Sequence, residues 1–325
     1  MNWALKAALV LLPTLAVVGG YQAVAQDAWP SRPVRIMVGF GAGGGTDVAT
    51  RIVAEPLGEV LGQRVIVENK PGAGGTIAGD IVAKGTKDGY NALMISTGHT
   101  VAAAMIKAQA YDAVKDFAPV GIIANSAIAI VVQKDFPASD LKGLIEVIRK
   151  DPGKYNYATV GTGSTQHLTA ELFRQRADLK AQAVSFRTTG EVVTALLRKD
   201  VAYAVDLAHA VRGQVAAGEL RLIAVATGRR FPSLANVPTM IESGMPGFEV
   251  NGWYGFVYPA GVPGEVITKS HRALTDVLSR DAVKKQLENI GAEAALSSPE
   301  EFGKLIADEV VRWRDVAKTA GLEPQ

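Results

Sequence analysis

The chain has 325 residues, enough for two domains with a cleft between them. Hydrophobic residues make up 48% and charged residues 20%, and 34 Lys and Arg against 32 Asp and Glu leave a formal charge of +2, which excludes a fibrous or disordered protein. The basic residues form no block, so no nucleic acid partner is expected. The lack of Cys excludes disulfides, thiolate metal sites and cysteine nucleophiles.

The first 25 residues have the three parts of a secretory signal peptide. Lys6 supplies the positive charge, residues 7–18 form an apolar segment, and a small-residue cleavage motif ends at Ala25. A membrane anchor is the alternative, but Pro13 and Thr14 interrupt an apolar run that is already shorter than the ~20 residues a span requires. We therefore expect cleavage after Ala25 and a mature protein outside the cytoplasm.

Short β-branched runs then alternate with longer segments of helical period, which is typical of parallel α/β architecture. The predicted strands are 34–38, 65–67, 93–96, 155–158, 183–186, 203–205 and 222–226. The predicted helices are 47–61, 76–84, a segment from about 99, 164–177, 191–198, 265–278 and a last helix from 298. The second group of strands could form a second sheet.

Two of these helices carry notable local signals. Pro56 lies inside the 47–61 segment, where a proline costs ~3 kcal/mol, so we expect a kink or a helix that starts again. At the last helix, Ser298 with Glu301 predicts a capping box, and Pro299 fits the first helical position. The apolar stripe that follows predicts a face packed on the core.

A glycine-rich loop, residues 40–47, joins the first predicted strand to the first predicted helix. Glycines allow a ligand to approach the backbone, and the free amides at a helix start favour an anion such as a carboxylate or phosphate. The loop is neither a Walker loop nor a dinucleotide fingerprint, since Thr46 stands where the third glycine would fall. A simple turn capped by Thr46 or Asp47 is the alternative.

A second loop of the same kind, residues 158–167, precedes a helix in the other half of the chain, and the two loops suggest two jaws. Ser164, His167 and Asp206 raise the alternative of a secreted hydrolase that uses Ser164. Nothing in the spacing places His167 between the serine and an acid, and the nucleophile-elbow pattern is broken. An N-cap at Ser164 or Thr165 is the simpler interpretation, and we expect no enzymatic activity.

A third loop contains Thr188, which with Glu191 predicts a capping box and can also contact a ligand. Two interpretations of Arg187 stay open, an anion contact and a solvated surface residue. The four His residues lack His-x-x-x-His and Glu-x-x-His spacings, so we expect no metal and no cofactor.

Several motifs occur together in one order along the chain. They are VGFGAGGGTD at 38–47, VENKPGAGG at 67–75, DGY at 88–90, YD at 111–112, DFAPV at 116–120, GTGSTQHLTAEL at 161–172, NVPT at 236–239 and PGFE at 246–249. In these motifs the chain resembles the substrate-binding proteins of tripartite tricarboxylate transporters, the Bordetella uptake gene (Bug) family. The resemblance implies a receptor located in the periplasm, an α/β protein of the type II periplasmic-binding-protein fold, with two lobes and a ligand cleft between them.

The resemblance also implies which residues bind ligand. The implied set is Phe40, Gly43, Gly44, Thr46 and Asp47 of the first loop, Gly161, Thr162, Gly163, Ser164 and His167 of the second, and Asp206 near the outer cleft. Thr188 is a candidate from its own loop only, since Thr188 and Thr189 stand where Gly or Ser is common in the family. The chain departs from the family at Gly39, where Pro is usual, at 102–104, where Ala residues replace Asn-Pro, and at 207–210. These departures bear on the distal ligand contacts more than on the carboxylate clamp.

Lobe bounds and partners follow from the same resemblance. Lobe 1 would comprise residues 26–125 and 247–325, and lobe 2 residues 126–246, with crossings near 123–128 and 247–253. The expected ligand is a small carboxylate, either a di- or tricarboxylate, an amino acid or an aromatic acid. The expected protein partners are the membrane permease subunits of a tripartite tricarboxylate-type transporter or, alternatively, a sensor protein that receives the ligand signal. The receptor itself is expected to be a monomer.

Overall fold

The structure is a computed structural model that describes residues 29–324. The predicted signal peptide and its cleavage point lie outside the described residues. Within them, no helix combines the length and the apolar character needed to cross a membrane.

Ten strands occur in this part of the chain. They are β1 (Val34–Val38), β2 (Val65–Asn69), β3 (Asn91–Ser96), β4 (Phe117–Gln133), β5 (Asn156–Val160), β6 (Gln182–Phe186), β7 (Tyr203–Leu207), β8 (Leu220–Val225), β9 (Asn251–Pro259) and β10 (Ala292–Ala294). Every predicted strand is found, whereas β4, β9 and β10 are additional.

The same residues form ten α-helices. They are α1 (Gly45–Leu61), α2 (Thr76–Ala83), α3 (Thr97–Met105), α4 (Leu141–Lys150), α5 (Thr165–Arg176), α6 (Thr189–Arg198), α7 (Arg212–Ala216), α8 (Gly264–Ser279), α9 (Asp281–Asn289) and α10 (Pro299–Thr319). The capping box at Ser298 is confirmed, since its hydroxyl and the Glu301 side chain each accept the other residue's backbone N–H.

The expected helix restart at Pro56 is wrong, because α1 runs without interruption from Gly45 to Leu61. Val53 and Leu57, on either side of the proline, are 0% and 1% exposed. Burying side chains of this size contributes about 1.5–3 kcal/mol each, which offsets the ~3 kcal/mol cost of an interior proline.

Two groups of parallel strands are joined through β4. In the first group β2, β1 and β3 lie side by side in parallel, and β9 pairs antiparallel with β3. In the second, β5 pairs in parallel with β6 and β7. Residues 117–127 of β4 pair with β9, and residues 128–133 pair with β7 and β8. The strands thus form two α/β groups that share β4, as the predicted two-lobed fold requires.

The apolar stripe of α10 is buried as predicted, but it is divided between two cores. Phe302, Ile306 and Val310 pack with side chains of β1, β3 and β9. Trp313 and Val316 pack with side chains of β5, β7 and α5. The last helix therefore contacts both strand groups. The lobe bounds stay a prediction, which the strand pairing supports.

Candidate ligand-binding cleft

A cavity of about 570 Å³ lies where the N-termini of α1, α3 and α5 meet strands β4 and β9. This volume is within the range of small-molecule sites. The cavity is lined by Phe40, Gly44, Gly45, Thr46, Gly74, Ser96, Thr97, Gly98, Val101, Ala102, Met105, Ile106, Ser126, Ile128, Thr162, Gly163, Ser164, Thr165, Gln166, Leu207, His209, Gly252, Trp253 and Tyr254.

The first loop is held in shape by Asp47. Its carboxylate accepts hydrogen bonds from the N–H of Gly43 at 2.8 Å, from Asn69 Nδ2 at 2.9 Å and from Arg51 Nε at 3.0 Å. Burial raises the pKa of Asp47, but these hydrogen bonds and the Arg51 charge outweigh burial and leave the pKa below its ordinary value. Asp47 is 1% exposed and does not line the cavity. Asp47 therefore stabilises the conformation of the loop without lining the cavity.

Glycines leave the first helix start open to the cavity. Gly44 is the N-cap of α1 in extended conformation, and no side chain caps this helix start. A Cβ on Gly45 would lie 2.6 Å from the hydroxyl of Tyr254 in β9, so only a glycine lets that tyrosine approach. Tyr254 lines the cavity together with Ser126 of β4. A glycine is needed at position 45 because of a contact with a residue more than 200 positions away in the sequence.

The second loop contains a serine cap and a neutral histidine. Ser164 Oγ accepts the N–H of His167 at 3.1 Å, and His167 Nδ1 accepts the N–H of Gly163 at 3.0 Å. Burial lowers the pKa of His167, while Glu171 opposes the shift. Ser164 as N-cap is confirmed. Because both side chains bond to the loop backbone, this geometry is that of a helix cap and not of a nucleophile with its base.

Asp206 lies at the end of β7 beneath the cavity wall and is 0% exposed. Its carboxylate accepts hydrogen bonds from the Leu207 N–H at 2.7 Å, from Thr189 Oγ1 at 2.8 Å and, at 3.5 Å, from Gln166 Nε2. Burial raises its pKa although these three donors oppose the shift. Leu207 and Gln166, which both donate to this carboxylate, line the cavity, whereas Asp206 does not.

Thr188 acts as the N-cap of α6. Its hydroxyl accepts the N–H of Glu191 at 3.3 Å. The Glu191 carboxylate accepts the N–H of Arg187 at 2.8 Å, one residue earlier than in a regular capping box. Neither Thr188 nor Arg187 lines the cavity, and both side chains are exposed.

The structure brings half of the predicted site residues to the cavity surface. Those that line it are Phe40, Gly44, Thr46, Thr162, Gly163 and Ser164. Those that lie outside the lining are Gly43, Asp47, Gly161, His167, Thr188 and Asp206. As ligand contacts, all twelve stay predictions.

A third helix start lines the cavity although none of its residues was among the predicted site residues. Ser96, Thr97 and Gly98 begin α3 and line the cavity, and Thr97 Oγ1 accepts the N–H of Trp253 at 3.0 Å. The signal was present, because a predicted strand ends at Ser96 and a helical segment follows at once. Ser126, His209 and Tyr254 come from distant strands and turns, and only the tertiary structure brings them here.

The cavity has anion-binding character without a fixed cation. Among the described residues that line it, none is Lys, Arg, Asp or Glu. Three helix N-termini face it, and the first-turn N–H groups of a helix have no intrahelical acceptor. These groups and the helix dipole favour a negatively charged ligand. In residues 29–324, no group of three or more His, Asp or Glu side chains is placed to hold a metal ion.

Comparison with known proteins agrees with this geometry. Residues 49–322 match the family model of the tripartite tricarboxylate transporter family receptor. This chain belongs to that family. Among the receptor's relatives is the protein BugT of Bordetella pertussis, 31% identical over 94% of this chain and 95% of BugT. The predicted resemblance to the Bug family is therefore confirmed.

Solved structures of similar receptors share the fold. A Rhodopseudomonas palustris protein solved with adipate is 34% identical, with a TM-score of 0.77, over 91% of this chain and 100% of that one. MatC from the same organism, with bound malate, is 30% identical, with a TM-score of 0.73, over 89% of this chain and 99% of MatC. Receptors of this family are periplasmic solute-binding proteins.

Proposed function

We propose that this protein is a periplasmic receptor that captures a small carboxylate and delivers it to the permease subunits of a tripartite tricarboxylate-type transporter. The observation that carries the proposal is the meeting of three helix N-termini in one cavity whose lining has no acidic side chain. Malate in MatC and adipate in the second R. palustris protein support a carboxylate as the ligand class.

Binding would use neutral donors. The carboxylate oxygens would accept first-turn N–H groups of the helices, together with hydroxyls such as those of Thr46 and Thr162 in the lining. Charge-assisted hydrogen bonds of this kind contribute about 1.5–3 kcal/mol each. The donor set binds and does no covalent chemistry, so the ligand would leave unchanged.

The proposal also covers export of the chain, its oligomeric state and the closure of its lobes. The chain would be exported with cleavage after Ala25 and would act as a monomer. Its lobes would be residues 26–125 with 247–325, and residues 126–246, and they would close around the ligand. The lining comes from both strand groups, since α1 follows β1 in the first and α5 follows β5 in the second.

A thermal-shift screen with a library of carboxylates and their neutral amides tests the proposal. We expect at least one acid to raise the melting temperature while its amide does not, and calorimetry to give one ligand per chain. Mass spectrometry after long incubation should recover that acid unchanged. Turnover of the ligand would support the hydrolase alternative, and no stabilisation by any acid would contradict the proposal.

A further inference from the structure

One wall of the cavity is apolar. It is formed by Val101, Ala102, Met105 and Ile106 at the end of α3, Ile128 in β4 and Leu207 in β7. A Cβ on Gly163 would lie 3.4 Å from the Met105 terminal methyl carbon, so this wall reaches the second glycine loop directly. The apolar wall thus continues from one helix start of the anion site into the rest of the cavity.

The side chains of this wall carry neither a charge nor a hydrogen-bond donor for a second carboxylate. Among the described lining residues the histidine is His209, and burial together with the nearby Arg212 lowers its pKa, so its imidazole is uncharged at pH 7 and offers a neutral donor at most. The Arg212 guanidinium donates to the Asn289 carbonyl at 2.6 Å. Lys107, next to the wall in sequence, is exposed and does not line the cavity, and the same holds for Arg187.

We propose that the preferred ligand is a monocarboxylate with an apolar aliphatic or aromatic body, and not a di- or tricarboxylate. The inference rests on the proposed function, since it assigns the single carboxylate to the helix N-termini. A second carboxylate along the apolar wall would lose its hydration without gaining the helix-start N–H groups that receive the first, which is costly, whereas a methyl or ring surface gains from burial.

Two acid pairs of matched length test the inference by calorimetry at pH 7. Hexanoate and adipate differ in one terminal carboxylate, as do p-toluate and terephthalate. We expect the monocarboxylate of the better-binding pair to bind at least tenfold more tightly than its dicarboxylate partner. Tighter binding of the dicarboxylates by the unmodified protein overturns the inference and leaves the proposed receptor function intact. If none of many mono- and dicarboxylates binds, the proposed function fails as well.

A charge placed on the wall gives a second, independent test. Ile106→Lys adds a cation at a half-buried position at the end of α3, and we expect it to shift the affinity ratio toward the dicarboxylates by at least tenfold. Val311→Lys is the matched control, because Val311 is 59% exposed on α10 and lies outside the cavity lining. An equal shift in both variants, or none in Ile106→Lys, contradicts the inferred position of the ligand body.

Discussion

Gly44 forms part of the cavity surface because it has no side chain. It is the N-cap of α1 in extended conformation, which any residue can adopt, and a Cβ there would meet only the Gly41 carbonyl oxygen, at 3.2 Å. We expect Gly44→Val to change the free energy of unfolding by about 1 kcal/mol or less while lowering carboxylate affinity at least ~100-fold, about 2.7 kcal/mol. Calorimetry and urea denaturation measure the two effects separately.

Gly41→Val is the matched control for this loop. A Cβ at Gly41 has no neighbour within 4 Å, and Gly41 does not line the cavity. We expect its affinity to stay within about twofold of the unmodified protein, which is under 0.5 kcal/mol. Equal losses of carboxylate affinity in the two variants would mean that binding depends on the flexibility of the loop and not on the space at Gly44.

We expect His99 to make the free energy of unfolding depend on pH. Its Nε2 donates to the Ala113 carbonyl at 2.9 Å, its ring stacks on Tyr111, and burial lowers its pKa to about 4. The unfolded chain, with an ordinary histidine pKa of 6.5, therefore binds the proton first as the pH falls. We expect the free energy of unfolding to be unaffected by His99 above pH 6.5 and to fall by up to about 3 kcal/mol between pH 6.5 and 4.

His99→Gln isolates that contribution, since an amide can still donate to the Ala113 carbonyl but does not titrate. Urea denaturation at several pH values should give a flatter profile for the variant than for the unmodified protein. Parallel profiles between pH 6.5 and 4 would show that another group causes the acid sensitivity.

At the level of elements, two serine caps have the same local role in different places. Ser164 begins α5 and Ser298 begins α10, and each hydroxyl accepts a backbone N–H at 3.1 Å. Only Ser164 lines the cavity. We expect Ser164→Ala and Ser298→Ala each to cost about 1 kcal/mol of stability. Ligand affinity should fall only in Ser164→Ala, as calorimetry with the same acid will show.

The comparison of the two serine variants separates capping from ligand contact. Equal affinities in both would remove the Ser164 hydroxyl from the site and leave it as a cap alone. Loss of affinity in Ser298→Ala, at the remote end of α10, would mean that general destabilisation and not a lost contact weakens binding.

At the level of the whole molecule, a ligand held by both glycine loops should favour a closed arrangement of the lobes. Only a ligand that binds the closed state better can shift the population toward it. We expect a saturating acid from the hexanoate or p-toluate pairs to reduce the radius of gyration in small-angle scattering. The same acid should stabilise the fold by about 2.7 kcal/mol at 100 times its Kd.

The scattering experiment has a clear contrary outcome. A higher melting temperature without compaction would mean either that the cleft is already closed without ligand or that the second loop is not a moving jaw, and the assignment of residues 161–167 as ligand contacts would be withdrawn. The Gly44→Val variant is the control, because it should show neither effect with the same acid.

The long strand β4 was not predicted from the sequence. Its 17 residues contain Pro119, Gly121 and Asn125, which weaken any strand pattern, so only a crossing near 123–128 was expected. The strand is continuous because it pairs with β9, β10, β7 and β8 in turn, with register shifts near Pro119 and Ile122. Partners far along the chain therefore stabilise what local propensity does not.

The sequence by itself determined the features that depend on neighbouring residues. Chemistry within a few residues accounts for the strand at 34–38, the glycine-rich helix starts, the caps at Ser164 and Ser298 and the family motifs. Only the tertiary structure decided that Asp47 and Asp206 lie behind the cavity surface, and that α3, Tyr254 and the apolar wall complete it. These contacts join residues that are up to about 200 positions apart, and they depend on the register in which β4 and β9 pair.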